Sequence, residues 1–409
     1  MRRRIMESDS DVIDLSMVDN AGRARTSRTT ANCYLVHKAG RYKFPLVFGN
    51  AIKNGETNTN AFRPGGTTTD YYLADFEVYG TYGKVRSGWM MRPTDGEQGQ
   101  GYELGGVSLV WQDRQGLITD VSYEGDYMYF TVGTFGEGNA VLAIHGLSDQ
   151  IMWSWHIWAT NETLENTSRV STGSHDYDVA PVNLGFVKTG GTTAYPIGYN
   201  TYYQFGRKDP FLPWNGANVT AYDINNNTIT AISQQTVNSS VSTYTISRNL
   251  QYPTRIFNIA GSSGSGSQAY TCYYYSNLWN STNSAGGNIS TPTTKTIYDP
   301  CPPDFVVPTS NLFYFIASDS SHIIGNFTYY GCRYTNVTGN ELWFPANGYR
   351  NRSDTSVTGY HTRGDYGSAT EGGSGSNTNY RYLHFNSSEV TCTTFYRAVT
   401  TNIRPVREE

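Results

Sequence analysis

Strict two-residue alternation is the feature that most narrows what this chain can become. In Tyr127–Val132, Met128, Phe130 and Val132 take one set of alternate positions, and Tyr127, Tyr129 and Thr131 take the other. Trp153, Trp155 and Ile157 then alternate with Ser154, His156 and Trp158. Successive side chains of a strand point to opposite faces, so segments of this kind are strands. They are short, and turns containing Gly, such as Tyr123-Glu-Gly-Asp-Tyr127, separate them. Composition agrees: aromatic residues are 14% and charged residues 16%, with 33 Tyr and 42 Gly. Aromatic and β-branched residues fill strands, while Gly, Asn, Asp and Ser make turns. A mainly β chain follows.

The chain has 409 residues, enough for two domains with buried cores. The polar stretch Thr160 to Asp178 contains no strong apolar run, which puts a boundary there. Residues 1–160 are then expected to form an immunoglobulin-like β-sandwich, and residues 161–409 a second unit. Within the second unit, Asn215 to Gly287 reads as a polar insertion, and GSSGSGSQ from Gly261 as a flexible loop. A net charge of -4 leaves no concentrated basic surface, which argues against a nucleic-acid partner. The opening MRRRIM is basic but precedes no apolar run, so it reads as neither signal peptide nor membrane span.

Sparse chemistry-bearing residues point away from metal and cofactor. Cys33, Cys272, Cys301, Cys332 and Cys392 show no CxxC spacing. They read as small buried hydrophobes, with a Cys301–Cys332 disulfide left open. His145, His156, His175 and His322 are scattered, and His175 with Asp176 and Asp178 reads as a solvated linker. GQGYELGG, from Gly99, lacks the Lys-Ser/Thr ending and following helix of a phosphate loop and reads as a turn. Asn-x-Ser/Thr triplets at Asn161, Asn218, Asn280, Asn326 and Asn386 are what an Asn/Ser/Thr-rich chain produces by chance.

The last part of the chain has its own alphabet. Although the chain holds 8 Trp and 7 Met, no Trp, Met, Lys or Gln follows Trp343. A codon with its third base fixed as C and its first two bases randomised encodes none of these, nor Glu. That is the alphabet left when Asn codons are mutated at their adenines. Glu389 departs from it, and Gly367 and Glu389 are left out of the variable set.

Several motifs stand in one order: VNLG (Val182 to Gly185), YYQFGRKDPF (Tyr202 to Phe211), YDPCPPDFVVPT (Tyr298 to Thr309), LWFPANGYR (Leu342 to Arg350) and IRPVRE (Ile403 to Glu408). From Pro181 onward the chain resembles the Fibrobacter-type major paralogous domain, a C-type-lectin-like module of Bacteroidales surface proteins. Ala31 to Gly55 and Leu109 to Gly133 resemble the N-terminal regions of Bacteroidales fimbrial and lipoprotein adhesins. The first resemblance implies an α+β C-type-lectin-like domain over 161–409, a segment of about 358–402 rewritten by a diversity-generating retroelement, and a fixed ending. Calcium-dependent sugar binding in that fold uses tripeptides such as Glu-Pro-Asn and Trp-Asn-Asp, which are absent. Its formylglycine-generating members need a pair of C-terminal cysteines, and only Cys392 is there. Neither metal nor cofactor nor catalysis is therefore expected.

In Asn379 to Phe385, alternation puts Leu383 and Phe385 on a core face and Tyr380, Tyr382 and His384 on a face expected to meet solvent. The resemblance then implies one exposed ligand-binding patch of Tyr360, His361, Arg363, Asp365, Tyr366, Tyr380, Tyr382, His384, Thr391, Thr393, Thr394, Phe395, Tyr396 and Val399. Ile403 to Val406 would anchor the fold. The function implied is a surface adhesin, exported as a processed chain and displayed at a pilus tip or as a related lipoprotein. It would bind a variable protein or glycan on a host cell, microbe or phage, and reach pilin subunits through its N-terminal domain. A phage receptor-binding protein diversified by the same machinery is the alternative.

Overall fold

In the computed structural model, alternation becomes pairing. Tyr127–Val132 lies antiparallel between Gly40–Pro45 and Ile118–Glu124, and Val12–Asp14 runs parallel beyond Gly40–Pro45. The structure describes residues 11–65, 73–91, 98–238, 246–260, 275–283, 291–319, 323–326, 330–335, 339, 341–372 and 379–409. Strands make up 44% of it and helices 6%, a mainly β fold. A six-stranded sheet faces the first one. It carries Ile151–Ala159 between Gly138–Gly146, antiparallel, and Cys33–Val36, parallel. Between the sheets, Phe44 meets Trp155 at 5.0 Å and Phe48 meets Trp153 at 5.1 Å between ring centroids. Met128, Phe130 and Val132 join that core, as their spacing requires.

The outer face of the six-stranded sheet is also covered, and this changes the domain picture. Ser154, His156 and Trp158 are buried like their neighbours. Ser154 Oγ donates to Asp209 Oδ1 at 2.6 Å, and the Trp158 indole N–H donates to the Phe186 carbonyl at 3.0 Å. Ala221–Tyr222 and Thr228–Ile229 extend the same sheet through Tyr222 opposite Gln112. Ile246, Leu250, Leu278, Ile297 and Tyr298 complete the core around Trp153. Residues 1–160 and 161–409 therefore share a sheet and a core.

Nor is Thr160 to Asp178 a linker. Ser168–Ser171 and Asp176–Val179 form an antiparallel pair, extended by Val406–Arg407 and then Phe305–Val306. Only Val170, Tyr177 and Val179 of those two strands are buried, so polar composition hid them. Asp178 pairs with Arg169 at 2.9 Å, and His175 with Glu409 at 2.8 Å. His145 and His156 are hydrogen-bonded, whereas His322 lies outside the described residues. Cys33, Cys301 and Cys332 are buried free thiols, so Cys301 and Cys332 are unbonded; Cys272 lies outside the described residues. The GQGYELGG segment is not a turn throughout: its last three residues, Leu104, Gly105 and Gly106, already belong to the strand Leu104–Gln112.

Candidate ligand-binding face

The tail folds into a three-stranded antiparallel sheet of Arg363–Glu371, Asn379–Asn386 and Val390–Tyr396, with Asn379–Asn386 in the centre. A turn at Ser387-Ser388 joins the last two strands, held where the Asn386 N–H donates to the Glu389 carbonyl at 3.0 Å. One face carries Tyr366, Leu383, Phe385, Val390 and Cys392 into a core with the helix Ser310–Ser318. The opposite face takes the alternate residues: Arg363, Asp365, Tyr380, Tyr382, His384, Thr391, Thr393 and Phe395.

Two kinds of contact organise that second face. The first is a row of rings: Tyr349 meets Phe395 edge-on at 4.9 Å, and Phe395 stacks on Tyr382 at 4.9 Å and 24°. Beyond it, Tyr380 contacts Phe205 at 5.2 Å and shares a hydrogen bond with Thr401 at 2.6 Å. The second is a polar chain. Arg363 forks onto Asp365 at 2.8 and 2.5 Å, and its guanidinium lies 4.9 Å from the Tyr349 ring centre. Burial lowers the Arg363 pKa, but the hydrogen bond and charge of Asp365 outweigh it, so the net shift is upward. Asn386 Nδ2 donates to His384 Nε2 at 3.2 Å, leaving the ring proton on Nδ1 to reach Asp365 at 3.2 Å.

The expectation of one wholly exposed patch is corrected here. Asp365, Tyr366, Tyr380, Tyr382, His384 and Val399 are buried. Tyr366 is a core residue on the helix-facing side, and its hydroxyl donates to the Pro345 carbonyl at 2.7 Å. Tyr380 and Tyr382 do leave the helix-side core, but they enter a second apolar cluster with Phe205, Trp279 and Ile403. Burial holds both phenol pKa values well above their usual range. Arg363, Thr391, Thr393 and Phe395 remain half-buried on the shared face. Thr394 and Tyr396 alternate with them and so belong to the other side of the strand. Tyr360 and His361 form a separate stack with exposed Tyr330, at 3.9 and 3.8 Å, with His361 in the left-handed region at φ 64°. Burial lowers the His361 pKa.

Two residues that sequence reasoning passed over belong to this surface, Tyr349 and Asn386, and a third, Arg352, sits against Tyr396 on the other side of the strand. The Arg352 guanidinium lies 4.3 Å from the Tyr396 ring centre. Tyr349 and Arg352 precede 358–402, yet both follow Trp343 and fit the restricted alphabet, which was the available signal. Gly367 has no room for a side chain, because a Cβ there would sit 2.7 Å from Thr401 Oγ1 and 3.1 Å from Tyr380 Cε2. Glu371 also departs from the alphabet, and it is buried.

The frame under the face is built from buried amides and guanidiniums. Asn200 links Asn183, Asn347 and Asn402 through side-chain bonds of 2.9, 2.6 and 2.8 Å, and Asn402 Nδ2 donates to the Asp365 carbonyl at 2.7 Å. Arg404 donates to Asn183 Oδ1 and to the carbonyls of Ala180, Pro181 and Trp343 at 2.6–3.0 Å. Burial pushes its pKa down to about 10. Ile403 and Val406 beside it are buried.

A polar cleft of about 430 Å³, lined by residues including Lys53, Asn58, Thr293 and Glu408, contains none of the face residues; its Lys53 and Glu408 are paired at 2.7 Å. Among the described residues, no group of three or more His, Cys, Asp or Glu is placed to hold a metal ion. No protein-family model, curated protein or solved structure matches the chain.

Proposed function

We propose that this chain is a surface-displayed adhesin whose C-terminal sheet face binds a variable protein or glycan ligand by contact rather than catalysis. The observation that supports it is a division between face and frame. Thr391, Thr393 and Phe395 come from the restricted alphabet and sit half-buried on one side of one strand. Ile403, Arg404 and Val406, in the ending that the resembled family keeps fixed, are buried. Variation is affordable only outside the core, since core truncations cost about 2–5 kcal/mol against a total stability of about 5–15. Tyr, Thr and Ser around an aromatic row also suit recognition, because Tyr offers large area with few rotamers and small polar residues adapt around it. The resemblance points to a pilus tip or related lipoprotein on the cell surface, with the N-terminal sandwich docking to pilin subunits. A direct test exchanges Thr391, Thr393 and Phe395 together for other residues of the same alphabet and probes both chains on protein and glycan arrays. Different ligand sets at an unchanged melting temperature support the reading; identical sets contradict it.

A further inference from the structure

Resting on that reading, we infer that the ligand is an extended peptide segment that adds a fourth strand along the edge Val390–Tyr396. This strand is the last of its sheet: among the described residues it pairs with Asn379–Asn386 on one side and with no strand on the other. The bond from the Asn386 N–H to the Glu389 carbonyl fixes the phase of the ladder. Thr391, Thr393 and Phe395 turn their backbone groups inward, so Val390, Cys392 and Thr394 turn theirs outward. Tyr396 is next in that phase, and its carbonyl is taken by the Val399 N–H at 3.1 Å. Among the described residues an open row of alternating donors and acceptors remains at Val390, Cys392 and Thr394, a pattern that an extended backbone matches.

Edges are ordinarily blunted by Lys, Pro, bulges or a covering element. Val-Thr-Cys-Thr-Thr-Phe-Tyr has no charge and no Pro, and it runs from Val390 to Tyr396 without a register shift. Its two ends carry opposite charges. At the Tyr396 end, Arg352 has no hydrogen-bond or carboxylate partner among the described residues, and its Nη1 is shut from solvent without an acceptor. At the Val390 end, Glu389 is 58% exposed, with His384 Nε2 at 3.7 Å. A guest strand that is neutral in its middle, with a carboxylate near Arg352 and a cation near Glu389, satisfies both. Its side chains on the ring-bearing face fall beside Thr391, Thr393 and Phe395. Main-chain bonds then supply affinity that survives diversification, while the varied side chains select the sequence. A glycan presents no such row of N–H and C=O groups.

The test selects linear heptapeptides with random sequence on the full chain and resynthesises the winners with N-methyl groups at alternate amides. Methylation of one alternate set is expected to weaken binding about tenfold or more, the scale of one lost hydrogen bond, and of the other set to leave it unchanged. Thr394→Pro removes an outward N–H that the inner ladder does not use and is expected to weaken binding similarly. Should that variant not fold, the methylation series decides by itself. Arg352→Gln is expected to erase the preference for an acidic end. Ligands that are lost on Phe395→Ser yet indifferent to methylation overturn the added strand and leave the proposed function standing. A chain for which no ligand responds to Phe395→Ser contradicts the proposed function itself. Self-association abolished by Thr394→Pro assigns the edge to a second copy and overturns the peptide.

Discussion

Truncating Tyr382 removes a ring that stacks on Phe395 and packs among Phe205, Trp279 and Ile403, so it acts on the frame as well as the face. We predict that Tyr382→Ala lowers the unfolding free energy by about 3–5 kcal/mol, whereas Thr393→Asn changes it by about 0.5 kcal/mol or less, both read by urea denaturation. Arg404 offers a second contrast. Arg404→Met strips partners from the carbonyls of Ala180, Pro181 and Trp343 and from Asn183, and is expected to cost about 3–5 kcal/mol with a fall in the urea midpoint. Residue by residue, alternation in the sequence assigned side chains to the correct sides: Leu383 and Phe385 on one, Tyr382 and His384 on the other. It carried no information on what covers the second side, because Tyr349, Phe205, Thr401 and Ile403 arrive from elsewhere in the chain. Periodicity identifies a face; tertiary packing decides whether water reaches it.

Among the elements, the strand Ile151–Ala159 couples the two halves of the chain, and His156 within it gives the coupling a pH signature. His156 Nε2 contacts Asn139 Oδ1 at 2.9 Å, and Asn139 Nδ2 donates to Asp113 Oδ2 at 2.8 Å. The amide orientation makes Nε2 the donor, leaving Nδ1 to accept from the Tyr203 hydroxyl at 3.2 Å. Burial pushes the His156 pKa down to about 3. A base depressed on folding contributes stability that is present above its unfolded value, about 6.5, and is lost as pH falls toward the folded one. Burial also raises Asp113, to about 6. That group works with the opposite sign, its contribution being lost as pH rises from about 4 through 6. The difference between the wild type and His156→Gln therefore isolates the histidine. The wild type is expected to lose on the order of 3 kcal/mol more than the variant between pH 7 and 4 in urea unfolding, and equal slopes would contradict the buried neutral imidazole. The sequence WSWHIWA already held a sign of this double burial, since Trp158 shares the alternate face with Ser154 and His156. A one-sided sandwich strand places polar residues there.

At the scale of the molecule, the shared sheet and core predict one cooperative unit. Residues 11–160 expressed alone would expose Trp158 and the outer face of Ile151–Ala159, and residues 161–409 alone would lose the sheet that Ala221–Tyr222 joins. Neither fragment is expected to give a cooperative thermal transition, and the whole chain is expected to give one in calorimetry; two folded fragments would contradict the interlocked architecture. The mainly β class was legible from composition and alternation, whereas the joining of the halves was not, because it rests on pairs such as Tyr222 with Gln112 and Ser154 with Asp209 that no local pattern announces. The division between a tolerant face and a fixed frame is the centre of the account, and paired libraries test it most directly. One library draws Thr391, Thr393 and Phe395 from the restricted codon alphabet, the other Tyr366, Tyr380 and Tyr382, and both are displayed and sorted for protease resistance. The account predicts that most members of the first library stay resistant and that nearly all of the second are lost; equal survival of the two would contradict it.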